Sequence, residues 1–212
     1  MKHSILGYSG FATEVFRWAH LTGREPKFYF DSKIKREGTC LITNLRISSE
    51  FDPEFHYFLG LDNPRAKFLL LEFFQTMGVE IKLASLQVPS HYGLRSSYLY
   101  NQVSASNVAA DGLIACPGAM ITMGVSIGYA VTLNMNSTIE NNTIIGDYCT
   151  LDSGARVLEN CKLGQLVRVG PNAVINPGIH VCDSVEIRAG SVVTKDIKNP
   201  GVYSGNPAKL EL

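Results

Sequence analysis

From Ile127 onward every sixth residue is a large aliphatic: Ile127, Leu133, Ile139, Ile145, Leu151, Val157, Leu163, Val169, Ile175, Val181, Ile187 and Val193. Stepping backward gives Ile121, Ala115, Ala109 and Val103, so the register continues more weakly. Four residues after each large aliphatic stands a mostly smaller one: Val131, Ser137, Thr143, Cys149, Ala155, Cys161, Val167, Ala173, Ile179, Val185 and Ser191. One large and one small inward side chain per six residues predicts a short strand followed by a bend. Gly118, Asn136, Gly154, Asn172 and Gly190 recur every eighteen residues, as do Gly128, Gly146 and Gly164. Gly and Asn tolerate φ > 0, so they mark corners that return once per coil. Three six-residue faces per coil make a triangular prism whose coils stack at about 4.8 Å. The run 103–198 therefore predicts a parallel β-helix of about five coils, enough to bury a continuous core. Cys149 and Cys161 fall at the small inward position and read as core.

The N-terminal half follows another pattern. Residues 3–8 read as a short buried strand, then Gly7-Tyr8-Ser9-Gly10-Phe11-Ala12 as a tight turn. Thr13–Leu21 reads as a helix with Val15, Trp18 and Ala19 on one face. Strands are predicted at 27–30, 55–61 and 79–83, with a helix over 66–77. Alternation of strand and helix implies a small parallel sheet of Rossmann-like type. The glycine turn is a partial G-x-G-x-x-G that places backbone N–H groups at a helix N-terminus, where a phosphate can sit. Asp31, ending the second strand, stands where such folds contact a ribose or base, or else it caps a turn. The chain divides into a domain over 1–83, an irregular stretch over 84–102, the β-helix over 103–198 and a tail over 199–212. The irregular stretch carries Pro89, His91, Tyr92, Arg95, Tyr98 and Tyr100 and reads as a linker or a loop covering a site.

Composition narrows the function classes. Nineteen basic residues balance nineteen acidic ones, so there is no electrostatic footprint for nucleic acid or an anionic membrane. No run of about 18 apolar residues marks a membrane span, and the N-terminal apolar run is too short for a signal peptide. Five scattered cysteines without a Cys-x-x-Cys fit a reduced, cytoplasmic protein. A β-solenoid alone is compatible with a scaffold or adhesive fibre.

The layout resembles the bacterial hexapeptide-repeat sugar acetyltransferases. In these an α/β Rossmann-like domain precedes an all-β left-handed parallel β-helix. The family includes bacillosamine-pathway N-acetyltransferases of nucleotide-linked 4-amino-6-deoxy sugars and sialic acid O-acetyltransferases. The repeat carries the resemblance, together with the ending Ala189-Gly190-Ser191-Val192-Val193-Thr194-Lys195-Asp196 and Val202-Tyr203-Ser204-Gly205-Asn206-Pro207-Ala208-Lys209. The resemblance implies a homotrimer with acetyl-CoA between adjacent β-helices, no metal, and a nucleotide-linked amino sugar on the N-terminal domain. It places the nucleotide-sugar at Gly7, Ser9, Gly10, Phe11, Asp31 and Ser32. It places the thioester carbonyl at the N–H of Gly154, and the pantetheine along Gly170, Ala189 and Gly190.

One departure concerns the chemistry. The family motif is Glu-His-Asp or Glu-His-Glu ahead of Ile-Gly; here it reads Ile139-Glu140-Asn141-Asn142-Thr143-Ile144-Ile145-Gly146. By resemblance, Asn141 replaces the histidine base and Asn142 its orienting carboxylate. A general base is worth roughly 10²–10⁴ in rate, whereas positioning supplies about 7–11 kcal/mol and one oxyanion donor about 3–4 kcal/mol. A sugar amine has a neutral fraction near pH 7–8 and can shed its proton late, while a hydroxyl needs the base far more. The expectation is an acetyl-CoA-dependent N-acetyltransferase of a UDP-4-amino-6-deoxy sugar in glycan biosynthesis. The alternatives are a catalytically inactive binding or scaffold homologue and a sugar O-acetyltransferase. Replacement bases would be His91 or His180, whereas His3, His20 and His56 read as structural or surface residues. One repeat-borne histidine argues against a three-histidine metal site.

Overall fold

The structure, a computed structural model, describes residues 2–7, 10–24, 26–31, 39–41, 54–87 and 111–211. The N-terminal part is a parallel sheet built from β1 (His3–Leu6), β2 (Pro26–Asp31), β3 (Thr39–Leu41), β4 (His56–Leu59) and β5 (Lys82–Leu83). Its order is β3-β2-β1-β4-β5. The chain turns outward in one direction from β1 and in the other from β4, so the switch point lies between these two strands. Helix α1 (Gly10–Leu21) follows β1 and buries Ala12, Val15 and Ala19. It starts three residues earlier than its hydrophobic stripe indicates, because Gly10 and Phe11 continue the turn into the helix. Helix α2 (Pro64–Thr76) follows β4; the side chain of Asn63 accepts the N–H of Ala66, and Pro64 opens the first turn without losing a bond.

The second part is the predicted prism. Face 1 is an eight-stranded sheet that includes Thr132–Leu133, Thr150–Leu151, Arg168–Val169, Val185–Ile187 and Gly201–Ser204. Face 2 has five strands, among them Thr138–Ile139, Arg156–Val157 and Val174–Ile175. Face 3 has four: Ser126–Ile127, Ile144–Ile145, Lys162–Leu163 and His180–Val181. Partners are offset by one eighteen-residue coil, as in Leu133↔Leu151 and Ile139↔Val157. All twelve aliphatics of the first register are at most 3% exposed, and the small register lies between them. Polar members of that register are satisfied locally: Ser137 Oγ donates to Asn134 O, and Thr143 Oγ1 to Leu158 O. Leu86–Gln87, at the start of the stretch neither sequence pattern claims, pairs parallel with Ile114–Ala115 and extends face 1. In the tail, Gly201–Ser204 adds a strand to the same face, and Lys209–Leu210 folds back antiparallel on it.

Candidate active site

The switch point is tight for a steric reason. Gly7 has φ +109, and a Cβ there would come to 2.9 Å from Gly60 O. A Cβ on Gly60 would meet that of Ala12 at 2.5 Å. The loops after β1 and β4 thus pass each other backbone to backbone. Gly10 is exposed, with open space beside its Cα, so a ligand can approach the start of α1. Phe11 is half-buried and packs edge-on against Trp18 at 6.4 Å, beside the core of the N-terminal sheet. Asp31 closes β2 opposite Leu41, and its side chain lies outside the described part. Ser9, Ser32 and His91 also lie outside the described residues.

The N-terminal sheet is seated on face 1 through α2. The buried positions of α2 are Pro64, Lys67, Leu71 and Phe74, an apolar stripe with a lysine in it. Lys67 is fully buried. Its Nζ donates to Ala130 O and Cys149 O, both at 2.9 Å, and to the hydroxyls of Thr132 at 3.2 Å and Thr150 at 3.0 Å. Burial pulls its pKa down to about 7. Thr150 also donates its hydroxyl to Asp62 O at 2.6 Å, fastening the loop after β4 to the same coil. Beyond it on face 1, Asp152 accepts from Arg168 at 2.8 Å and from Asn134 at 3.3 Å; that bond holds the Arg168 pKa up.

Three residues past Thr150 the chain reaches the corner between faces 1 and 2. A groove of about 580 Å³ runs there, lined by Met135, Asn136, Ser153, Gly154, Arg156 and Asn172, with Pro171 and Val174. Gly154, Ala189 and Gly190 share this corner, and Gly170 adjoins it. One expected role conflicts with the hydrogen bonding. The N–H of Gly154 is donated to Met135 O at 2.9 Å, so it is not free for a thioester carbonyl. Gly170 is buried beside the groove, its N–H donates to Ile187 O, and a Cβ would strike that oxygen at 2.5 Å, so the stacking of the coils already requires a glycine there. Gly190 likewise donates to Pro171 O. From Ala130 to Gly190 the second turn residue of each corner donates its N–H to the preceding coil, whereas the first does not, and at Tyr129 and Gln165 it donates instead to a carboxylate of the next coil. At this corner the N–H groups of Met135 and Ser153 in the groove, and that of Ala189 beyond it, have no partner among the described residues.

Asn141 and Asn142 occupy the next corner, between faces 2 and 3. Asn142 has φ 57, donates its N–H to Met123 O, and lays its amide oxygen over Gly124. It is a left-handed corner residue like Asn160 and Gly178 in the following coils, which accounts for it without a catalytic role. Asn141 is exposed, its side chain makes no hydrogen bond among the described residues, and its O accepts from Asn160 N at 2.9 Å. Glu159, one coil above it, presents an N–H without a partner among the described residues and an exposed carboxylate. Glu159 carries no family motif, and its spacing of eighteen from Asn141 is the one signal of it in the sequence. His180 lies on face 3 with Nδ1 3.8 Å from Asp196 Oδ1, two coils beyond Ile144. Burial lifts the Cys149 thiol to about 12, so it holds no thiolate near neutrality.

The protein thus joins a Rossmann-like switch point, with open space beside Gly10, to a β-helix with a corner groove, an architecture similar to that of two-domain hexapeptide-repeat sugar acetyltransferases. No family model matches the chain. The acetyltransferase domain of PglB from Neisseria gonorrhoeae superposes with TM-score 0.80 at 21% identity, over 99% of both chains. A histidine-to-asparagine variant of perosamine N-acetyltransferase from Caulobacter crescentus, in complex with CoA and GDP-perosamine, superposes with TM-score 0.80 at 18% identity, over 100% of this chain and 97% of that one. At these identities the likeness establishes the fold, including the left hand of its β-helix. Curated relatives match in part. A UDP-3-O-acylglucosamine N-acyltransferase of Bordetella avium is 31% identical over 104 residues, 39% of this chain and 29% of its own length. A serine acetyltransferase of Synechococcus elongatus is 29% identical over 102 residues, 44% of this chain and 40% of its own. The chain therefore spans less than half the length of these relatives.

Proposed function

We propose that the protein transfers an acetyl group from acetyl-CoA to the amine of a nucleotide-linked amino sugar, most specifically a UDP-4-amino-6-deoxy sugar. The observation that carries this reading is the fixed seating of the switch point on face 1. Thr150, fastened to the loop after β4, and Ser153, in the groove, are three residues apart, about 10 Å along a strand. A nucleotide held at the switch point can extend its sugar toward that groove. Two superposing proteins support the substrate class: the PglB domain, known in complex with acetyl coenzyme A, and the perosamine enzyme with its nucleotide-sugar.

The amine attacks the thioester carbonyl, an oxyanion develops, and the C–S bond breaks to leave the thiolate. Unpaired corner N–H groups suit the oxyanion, and the candidates are those of Ser153 and Glu159 rather than Gly154. Asn141 accepts no proton, so its role is to hydrogen-bond the amine or a relay water. On one chain Asn136 in the groove and Asn141 are separated by the width of face 2, five residues or roughly 16 Å. A homotrimer would close that gap by setting the Asn141 corner of one β-helix against the groove of the next. Five scattered cysteines without a Cys-x-x-Cys support a cytoplasmic setting; among the described residues no helix is long and apolar enough to cross a membrane.

The test is thiol release from acetyl-CoA in the presence of UDP-, dTDP- and GDP-linked 4-amino sugars. Release with one of them, giving a base-stable amide, supports the reading; a base-labile ester assigns O-transfer instead. A second reading, an inactive binding homologue, draws on the exposed amide at position 141 where the family has its base. Acetyl-CoA binding without release for any sugar selects it, and no binding at all removes both.

A further inference from the structure

We infer that Lys67 is a positioning residue: its terminal nitrogen, seated in a cage of four oxygens from two adjacent coils, sets the register at which the nucleotide crevice sits on the β-helix. The seating is structural and stands alone; its consequence for turnover rests on the function proposed above.

An ammonium removed from water is costly unless every proton finds an acceptor. The cage of Ala130 O, Thr132 Oγ1, Cys149 O and Thr150 Oγ1 supplies more acceptors than the three protons need. The outward column on face 1 shows why it fits at one level only. Reading up the coils it runs Ile114, Thr132, Thr150, Arg168, Glu186. One step of about 4.8 Å down exchanges a hydroxyl for the side chain of Ile114. One step up sets the ammonium against the Arg168 guanidinium. The adjacent threonines occur once in this column. Apolar contacts of α2, such as Phe68 edge-on to Tyr148 at 5.5 Å, are less particular about level. Apolar burial supplies adhesion and the hydrogen bonds of Nζ supply register, the best-attested use of a buried polar group.

Thr150 transmits the register to the crevice. Its hydroxyl donates to Asp62 O and accepts from Lys67, so one side chain holds both the loop after β4 and the first turn of α2. Misplacement of reacting groups by about 1 Å can cost about a hundredfold in rate.

The experiment compares the full-length protein with Lys67→Met and Thr150→Val, using hydrogen exchange of residues 64–76 as the primary readout. Met keeps the length and apolar stem, and Val keeps the shape of Thr without its hydroxyl. Expected are a loss of protection of about tenfold or more over 64–76 in Lys67→Met and about threefold in Thr150→Val, with the β-helix coils beyond 150 unchanged. Turnover splits in a way general destabilisation does not. The dissociation constants of UDP and acetyl-CoA stay within about twofold, while kcat for the amino sugar falls by about a hundredfold. Wild-type protection over 64–76 in Thr150→Val overturns the inference, whether or not Lys67→Met folds. If the wild type acetylates no sugar, the proposed function fails while exchange still decides the role of Lys67.

Discussion

Asp152 accepts from Arg168 at 2.8 Å across one coil of face 1, and the two partners differ in their access to water: the Asp152 side chain is 7% exposed and that of Arg168 32%. This makes the pair asymmetric under mutation. Removing the carboxylate frees a guanidinium that can turn to solvent. Removing the guanidinium strands a buried carboxylate with Asn134 as its remaining side-chain donor among the described residues. We expect Asp152→Asn to cost about 1 kcal/mol and Arg168→Met about 2–3 kcal/mol, reduced from the fully buried case by the exposure of the arginine. Urea denaturation of the two variants checks the order; equal losses, or the reverse order, count against it.

Asn142 separates a conformational from a catalytic reading of the Glu140-Asn141-Asn142 segment. Its φ of 57 and its side chain over Gly124 are what a corner requires. Asn142→Gly should therefore keep stability within about 0.5 kcal/mol and activity within a few-fold, while Asn142→Val should destabilise by about 1–2 kcal/mol. A loss of activity above about a hundredfold in a folded Asn142→Gly protein would return Asn142 to the chemistry.

The β-helix was legible because stacking repeats the same demand every six residues, and each of Ile127 through Val193 answers it. The site was less so. Corner residues such as Gly154, Gly170 and Asn142 carry the fold and resemble ligand contacts by type alone; only the partners of their N–H groups tell the two apart. Strand β3 is three residues long and leaves no periodic trace. Lys67 was hidden by its charge. The spacing of Pro64, Lys67, Leu71 and Phe74 is that of an apolar stripe, and a lysine on such a stripe was the signal that α2 buries a cation.

Asn141 gives the direct probe of chemistry without a base. If the amide only positions groups, Asn141→Ala should lower N-acetylation by about tenfold or less, and a loss above about a thousandfold would assign it an essential part. Asn141→His places an imidazole at the corner the family uses. A gain of tenfold to about a hundredfold is expected, short of the full 10²–10⁴ because the orienting carboxylate is also absent at Asn142. No gain from a folded, acetyl-CoA-binding Asn141→His protein would place the chemistry elsewhere.

Lys67 makes stability depend on pH in a direction that follows from its burial. Its pKa falls from the ordinary 10.5 to about 7 in the folded protein, chiefly by desolvation; Cys149, Asp62 and Asp152 oppose the fall and Arg168 adds to it. Between these two values the unfolded chain carries a proton that the folded chain has released. Stability therefore rises as pH increases from about 7 toward 10.5, by up to about 1.4 kcal/mol per pH unit from this group. Below about pH 7 both states hold the proton and the contribution is flat. Urea denaturation at pH 7 and pH 9 should show the wild type gaining stability relative to Lys67→Met, in which the rise from this site is absent. Parallel pH profiles for the two proteins would mean that the four oxygens keep the ammonium charged throughout, and that the cage outweighs desolvation.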